Sequence, residues 1–183
     1  MVSQLKVNEI IKQSGSSITI GESGDTITLT GSTVTMPSGA TLTNFPDNKP
    51  FFRAYSAGGF TAAADTYTNF ADTEVFDIGG CYDTSTKRFT PDVAGYYCFN
   101  VHARTNVTSA FSYISARIRK NGTEISSGVN YNASTDSVHA TTICHLNGST
   151  DYVEGMIYCP STNRDFYANK NTNSFMGFRL IGE

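Results

Sequence analysis

A fixed spacing of one aspartate, one glycine and four aromatic residues over positions 77–99 constrains the fold of this chain more than any other feature. The set is Asp77, Tyr82, Phe89, Gly95, Tyr97 and Phe99. From Tyr97 to Ala103 every second residue is apolar, and polar residues such as Asn100 and His102 stand between them. Since successive side chains of a strand point to opposite faces, this alternation predicts a strand with one buried face.

The rest of residues 51–183 also has the pattern of short strands separated by turns. Apolar residues alternate at Ile114, Ala116 and Ile118, and Asn121-Gly122 suits a primed hairpin turn. Two further segments, 138–146 and 153–159, carry small or apolar residues at every second position. Many short strands with turn signals between them favour an antiparallel β-sandwich. We therefore predict an all-β fold in which residues 51–183 form one head domain.

The spaced set resembles the signature of the globular head of complement C1q and its tumour-necrosis-factor-like relatives. The spacing is Asp-x4-Tyr-x6-Phe-x5-Gly-x-Tyr-x-Phe. It departs from the family pattern where Phe70 stands one residue early, with Ala71 in its place, and where Val101 replaces the final aromatic residue. The tail Ser174 to Leu180 is similar to the closing strand of that family. The resemblance implies an antiparallel jelly roll that assembles as a homotrimer.

The same resemblance assigns a set of residues to the head core or the trimer contact. They are Tyr82, Phe89, Gly95, Tyr97, Phe99, Phe175, Gly177 and Phe178. Within this set we expect Tyr97 and Phe99 to point inward from one strand. We expect Phe175 or Phe178 to lie beside them on a neighbouring terminal strand.

Residues 17–45 differ from the head, because short apolar pairs alternate there with corners rich in glycine and serine. The apolar residues are Ile18, Ile20, Ile27, Leu29, Val34, Met36 and Leu42. A hairpin this short is marginal in water, whereas three copies wound about an axis could bury every pair. The pattern favours an intertwined trimeric stem, a β-prism or triple β-helix, with these residues in its core. A flexible linker is the alternative, and residues 46–50, with two prolines, form the predicted connection to the head.

Residues 1–16 form a separate segment at the N-terminus. Its apolar residues are Leu5, Val7, Ile10 and Ile11. They have no partner within so short a segment, which predicts an anchor that buries them against a particle. Periodicity over so few residues does not separate a short strand from a helical turn. With the Ser-Ile-Thr-Ile motif that follows, the segment resembles the start of short bacteriophage fibre and virion-surface proteins.

Charge and composition exclude several classes of function. The net charge is −3 and the sequence has no run of lysine or arginine, so we expect no nucleic-acid partner. No apolar stretch approaches the roughly 20 residues of a membrane span, and no signal-peptide core is visible, so we expect synthesis in a host cytoplasm without membrane insertion. The widely spaced cysteines suit reduced, mostly buried thiols. They are Cys81, Cys98, Cys144 and Cys159.

No group of residues predicts catalysis. His139 and His145 share one strand face at a separation of about 20 Å, so they cannot bind one metal ion. Carboxylates such as Asp65 and Asp83 lie near predicted turns without the spacing of a calcium loop. The motifs of nucleophile elbows and phosphate loops are missing. We therefore expect no enzymatic activity, no cofactor and no metal site.

These patterns predict a non-catalytic, homotrimeric virion protein. It would be a bacteriophage capsid-decoration protein or a short tail fibre, with its stem on the particle and its head projecting for stabilisation or host attachment. Its partners would be two further copies, capsid or tail proteins, and a host cell-surface glycan or protein, and its location would be the virion surface. The alternative is a secreted C1q/TNF-like ligand-binding or lectin-like trimer.

Overall fold

The computed structural model describes Ser38 and residues 48–106, 112–131 and 137–180. The predicted anchor (1–16) and, apart from Ser38, the predicted stem (17–45) lie outside the described residues, as do all the apolar residues assigned to them. Each described element is a strand. The strands are β1 (Phe51–Tyr55), β2 (Phe60–Ala62), β3 (Thr66–Asn69), β4 (Thr73–Ile78), β5 (Tyr82–Asp83), β6 (Arg88–Phe89), β7 (Ala94–Arg104), β8 (Tyr113–Lys120), β9 (Thr123–Tyr131), β10 (Ser137–Asn147), β11 (Val153–Cys159), β12 (Arg164–Phe166) and β13 (Asn173–Arg179).

The strands form two larger sheets and one small pair. The five-stranded sheet has the order β10-β7-β13-β1-β4. The six-stranded sheet has the order β5-β6-β11-β8-β9, with β3 paired to β11, and β12 pairs with β2. Neighbouring strands are antiparallel, which confirms the predicted all-β antiparallel class. The division into anchor, stem, linker and head stays a prediction.

The core lies between the inward faces of these two sheets. Tyr97 and Phe99 are completely buried on β7, as the alternation predicted. Strand β13 pairs with β7 and sets Phe175 opposite Val101. From the six-stranded sheet, Phe89 brings its ring centroid to 5.6 Å from the rings of both Tyr97 and Phe99. These aromatic contacts join the two sheets.

Two glycines allow the core rings to approach the sheets closely. A Cβ atom at Gly155 in β11 would lie 2.6 Å from Cδ2 of Phe175. A Cβ atom at Gly177 in β13 would collide with the ring of Phe99. A side chain at either position would therefore displace a core ring, which is the usual reason for glycine inside a strand.

The spacing from Asp77 to Tyr82 has a local structural cause. Asp77 Oδ2 accepts a hydrogen bond of 2.9 Å from the backbone N–H of Tyr82, across a turn in which Gly79 has a φ of 114°. The Tyr82 hydroxyl then donates to the carbonyl oxygen of Ala71 at 2.6 Å. Both Phe70 and Ala71 are buried, so the aromatic residue that stands one position early still contributes to the core.

Strand β13 shows which of two phenylalanines lies in the core. Phe175 and Gly177 point inward, and Phe178 follows on the opposite face, where it is 44% exposed. Phe175 is therefore the one of the two predicted alternatives that packs beside Tyr97 and Phe99. Phe178 was assigned to the head core or the trimer contact, and its place in a trimer contact stays a prediction.

Candidate subunit interface

One row of apolar side chains crosses the outward face of the five-stranded sheet. The backbone register aligns one residue from each strand, in the order Ile78 (β4), Phe51 (β1), Phe178 (β13), Cys98 (β7) and Ile143 (β10). Because directly paired residues of antiparallel strands share a face, successive members of this row are neighbours. We call these five residues the apolar row.

The apolar row is accessible to solvent in the single chain. Ile143 is 59% exposed, Phe178 is also exposed, and Phe51 and Cys98 are half-buried. The ring of Phe51 contacts that of Phe76 edge to face at 5.7 Å, which widens the patch. Single exposed apolar residues are ordinary, whereas a contiguous patch marks an interaction surface. The row is therefore a candidate interface.

The polarity of this face changes along the strands. Next to the apolar row, the register aligns Phe76, Arg53, Met176, Asn100 and Thr141. In this mixed row Asn100 Nδ2 donates a hydrogen bond of 2.8 Å to Thr141 Oγ1. Two residues further along β7, on the same face, His102 is paired with His139 of β10. On the other side of the apolar row, the register pairs Tyr96 of β7 with His145 of β10. The apolar row therefore lies between His145 on one side and the mixed row with the His102–His139 pair on the other.

Burial lowers the pKa of His102, and the neighbouring His139 lowers it further. A proton on His102 would place a positive charge in a partly desolvated position beside a second imidazole. Histidine is the side chain that ordinarily titrates close to neutral pH. His102 is therefore a group on this face whose protonation in mild acid is disfavoured in the folded protein.

Sequence reasoning identified the core better than it identified this face. The structure brings most of the predicted head residues together in the interior, namely Tyr82, Phe89, Gly95, Tyr97, Phe99, Phe175 and Gly177. Of the apolar row, only Phe178 had been assigned a role. Ile143 carried a usable signal, because it occupies the phase of β10 that otherwise holds polar residues such as Thr141 and His145. An isoleucine in an otherwise polar phase is a weak signal by itself, and it gains meaning only from the apolar neighbours that the register places beside it.

The described residues offer little reactive chemistry elsewhere. Within these ranges, no group of three or more histidine, cysteine or acidic side chains could hold a metal ion, and no helix is long and apolar enough to span a membrane. All four thiols are free; Cys81 and Cys159 are buried, and the other two are half-buried. Burial raises the pKa of Cys144 to about 11 and that of Cys159 to about 12. Such thiols stay protonated at neutral pH and act as packing groups.

Comparisons with known proteins identify the fold of this chain. No protein-family model matches the sequence, and no curated protein matches it. Murine APRIL matches with a TM-score of 0.58 and 10% identity, over 72% of this chain and 98% of that chain. The globular domain of zebrafish complement 1qA gives 0.55 and 18% over 74% and 99%. Eiger TNF from S. frugiperda gives 0.56 and 10% over 74% and 96%. The fold is the C1q/TNF-like jelly roll.

The similarity to these solved structures confirms the jelly roll that the resemblance of the aromatic spacing implied. At these identities the likeness shows the fold alone, because a fold of this kind hosts many tasks. The function of this chain is therefore inferred from its own surface residues. In its jelly roll, the apolar row lies on the sheet whose opposite face carries Tyr97, Phe99 and Phe175.

Proposed function

We propose that this chain is a non-catalytic homotrimeric head whose copies associate through the outward face of the five-stranded sheet. The observation that carries the proposal is the apolar row, which crosses all five strands and leaves Ile143 and Phe178 exposed in a single chain. Removing apolar surface from water contributes about 25 cal/mol per Å². Another copy of the same chain can supply the surface that covers the apolar row.

Three copies, rather than two, are favoured by the resemblance of the sequence signature to the trimeric C1q head. A surface that contacts a different surface of the next copy closes into a ring when the rotation permits it. In such a ring the apolar row can lie at the contact between copies, while His145 on one side of it and the His102–His139 pair on the other lie nearer the edge of the contact.

The finer proposal is that this head belongs to a bacteriophage virion, as a capsid-decoration protein or a short tail fibre. Its support is the predicted stem and anchor in residues 1–45, and free thiols that suit assembly in a reducing cytoplasm. The further partners would be capsid or tail proteins and a host cell-surface glycan or protein. A secreted C1q/TNF-like ligand-binding or lectin-like trimer fits the same fold equally well.

Analytical ultracentrifugation tests the trimer and its interface. The wild-type chain should sediment as three copies at micromolar concentration, and Ile143→Asp should dissociate it, because a carboxylate would be buried in the apolar row. Ile125→Asp is the matched control, since Ile125 is 38% exposed on β9 of the other sheet. A monomeric wild type, a trimer that Ile143→Asp leaves intact, or a trimer that Ile125→Asp breaks equally well would reject the proposed interface.

Incorporation into virus particles tests the virion role. A chain lacking residues 1–16 should still sediment as a trimer, yet fail to join particles that lack the wild-type copy. Normal incorporation would place the attachment surface outside the anchor and reverse the proposed polarity. If the full chain does not copurify with particles at all, the secreted alternative is favoured.

A further inference from the structure

A connected set of tyrosine rings lies on the outward face of the six-stranded sheet. The ring centroids of Tyr131 and Tyr113 are 5.6 Å apart, those of Tyr113 and Tyr158 are 6.1 Å apart, and those of Tyr158 and Tyr67 are 5.3 Å apart. Strands β9, β8, β11 and β3 supply one ring each. The two end rings, Tyr131 and Tyr67, are exposed, and the two middle rings are half-buried. We call these four residues the tyrosine track.

Arg119 lies at the Tyr67 end of the tyrosine track. Its guanidinium carbon is 4.8 Å from the centroid of the Tyr67 ring, a cation–π contact. Arg119 also donates hydrogen bonds to the carbonyl oxygen of Gly122 and to Sδ of Met156, and it forms no ion pair with any described residue. A guanidinium has five N–H donors, so Arg119 retains donors for a ligand. Its cross-strand neighbour Glu124 pairs with Arg117 instead, so among the described residues the charge of Arg119 has no carboxylate partner.

Other polar groups border the same end of the track in fixed positions. The guanidinium of Arg117 lies 5.5 Å from the ring centroid of Tyr158 and pairs with Glu124. On the other side, the Tyr158 hydroxyl donates to Asp65 Oδ1 at 3.2 Å. Hydrogen-bond donors and acceptors therefore stand beside aromatic faces, at positions set by contacts already made within the chain.

We propose that the tyrosine track and Arg119 bind an acidic oligosaccharide. The C–H face of a pyranose ring is apolar and weakly positive, so it packs on a tyrosine ring, whose face is the negative part of its quadrupole. The hydroxyls at the edge of each sugar can bond to tyrosine hydroxyls and to Glu124. The carboxylate of an acidic sugar can accept two parallel hydrogen bonds from Arg119. This inference rests on the proposed attachment function and gives it a site and a class of ligand.

Other macromolecules fit this surface less well. Tyrosine and arginine are common at protein–protein interfaces, whereas glutamate and aspartate are depleted there. Glu124 and Asp65 both border this end of the track, which favours a ligand rich in hydroxyls over a protein partner. A nucleic acid would bring a phosphate with every nucleotide, a higher density of negative charge than two guanidinium groups beside Asp65 and Glu124 can balance. Among the described residues of this face, Arg119 forms no ion pair, which matches an oligosaccharide whose carboxylates are widely spaced.

A glycan array probed with the full chain tests the site, and calorimetry then measures the affinity for the acidic glycan that binds best. Tyr67→Ala should weaken binding at least tenfold. Arg119→Gln should weaken it by a similar factor and should remove the preference for the acidic glycan over its neutral analogue. The matched controls are Tyr167→Ala and Arg104→Gln. Tyr167 is 39% exposed against 41% for Tyr67, and Arg104 lies 5.5 Å from its ring centroid. Both controls should retain wild-type affinity.

Sedimentation of the same samples separates failure of this site from failure of the proposed trimer. A wild-type trimer that binds no acidic glycan on the array overturns the glycan site and leaves the trimer intact. Binding that survives both Tyr67→Ala and Arg119→Gln overturns it as well, as does binding that the control substitutions weaken equally. If these variants bind a host protein less well and no glycan binds, the surface is a protein interface and the inference is wrong.

Discussion

The outward faces of the two larger sheets differ in their connected groups of apolar side chains, although Tyr96 is exposed on the first and Val129 on the second. The five-stranded sheet exposes Ile143 and Phe178, whose side chains have no polar atom. The six-stranded sheet exposes Tyr67 and Tyr131, whose rings can contact a ligand while their hydroxyls stay hydrated. Permanent interfaces between subunits are more hydrophobic than transient interfaces. The chemistry of the exposed side chains, more than the extent of their exposure, therefore favours a permanent partner on the first face and a reversible ligand on the second, as proposed above.

The core beneath both faces should respond most strongly to mutation. Phe99 is completely buried, and its ring contacts those of Phe89 and Phe175. We expect Phe99→Ala to lower the free energy of unfolding by about 3–5 kcal/mol, because the truncation leaves a cavity between the sheets. Denaturant unfolding measures this loss. A loss below about 1 kcal/mol would contradict the burial of Phe99 and with it the shared core.

Truncation within the apolar row should have the next largest effect and a different signature. We expect Phe178→Ala to cost about 1.5–3 kcal/mol of association free energy, the value for one buried apolar side chain, if that ring is covered by another copy. The melting temperature should then depend more steeply on protein concentration than it does in the wild type. Thermal scans over a hundredfold concentration range measure this. A cost that is independent of concentration would remove the distinction between this face and the core.

Mild acid should weaken the protein through the five-stranded sheet. Burial, and to a lesser degree His139, holds the pKa of His102 below its ordinary value, so the folded protein binds fewer protons than the unfolded chain. Above about pH 6.5, the ordinary histidine pKa, His102 is neutral in both states and does not lower the free energy of unfolding. As the pH falls from there toward the lowered pKa, the unfolded chain takes up the proton first and the free energy of unfolding decreases. Melting temperatures between about pH 8 and pH 5 measure this slope. His102→Gln should flatten it, and an unchanged slope would exclude His102 as its source.

Truncation in the tyrosine track should have the smallest effect on stability. Tyr131 is exposed at the end of β9, so Tyr131→Ala should change the free energy of unfolding by no more than about 0.5 kcal/mol and leave the trimer intact. Denaturant unfolding and sedimentation check both statements. If this substitution breaks the trimer, the two faces do not have the separate roles that their side chains indicate.

Local patterns in the sequence were sufficient for the class of fold. Alternation in β7 placed Tyr97 and Phe99 in the core, because the two-residue period of a strand assigns every second side chain to one face. The spacing of Asp77 and Tyr82 likewise encodes a local turn, closed by the hydrogen bond between them. Strand β13 was harder to interpret. It carries Phe175 and Phe178 in opposite phases, and its pattern alone does not say which phase faces the core.

The sequence by itself identified the longer strands, β7, β8, β10, β11 and β13, and for most of them the side chains that share one face. Only the tertiary structure decided which strands are neighbours and at what register. The apolar row draws on residues from Phe51 to Phe178, and the tyrosine track on residues from Tyr67 to Tyr158, so no local pattern could reveal either surface. The physical reason is that register is set by packing across the whole sheet. A slip of one residue would send every side chain of a strand to the other face, and burial of the common core selects one register.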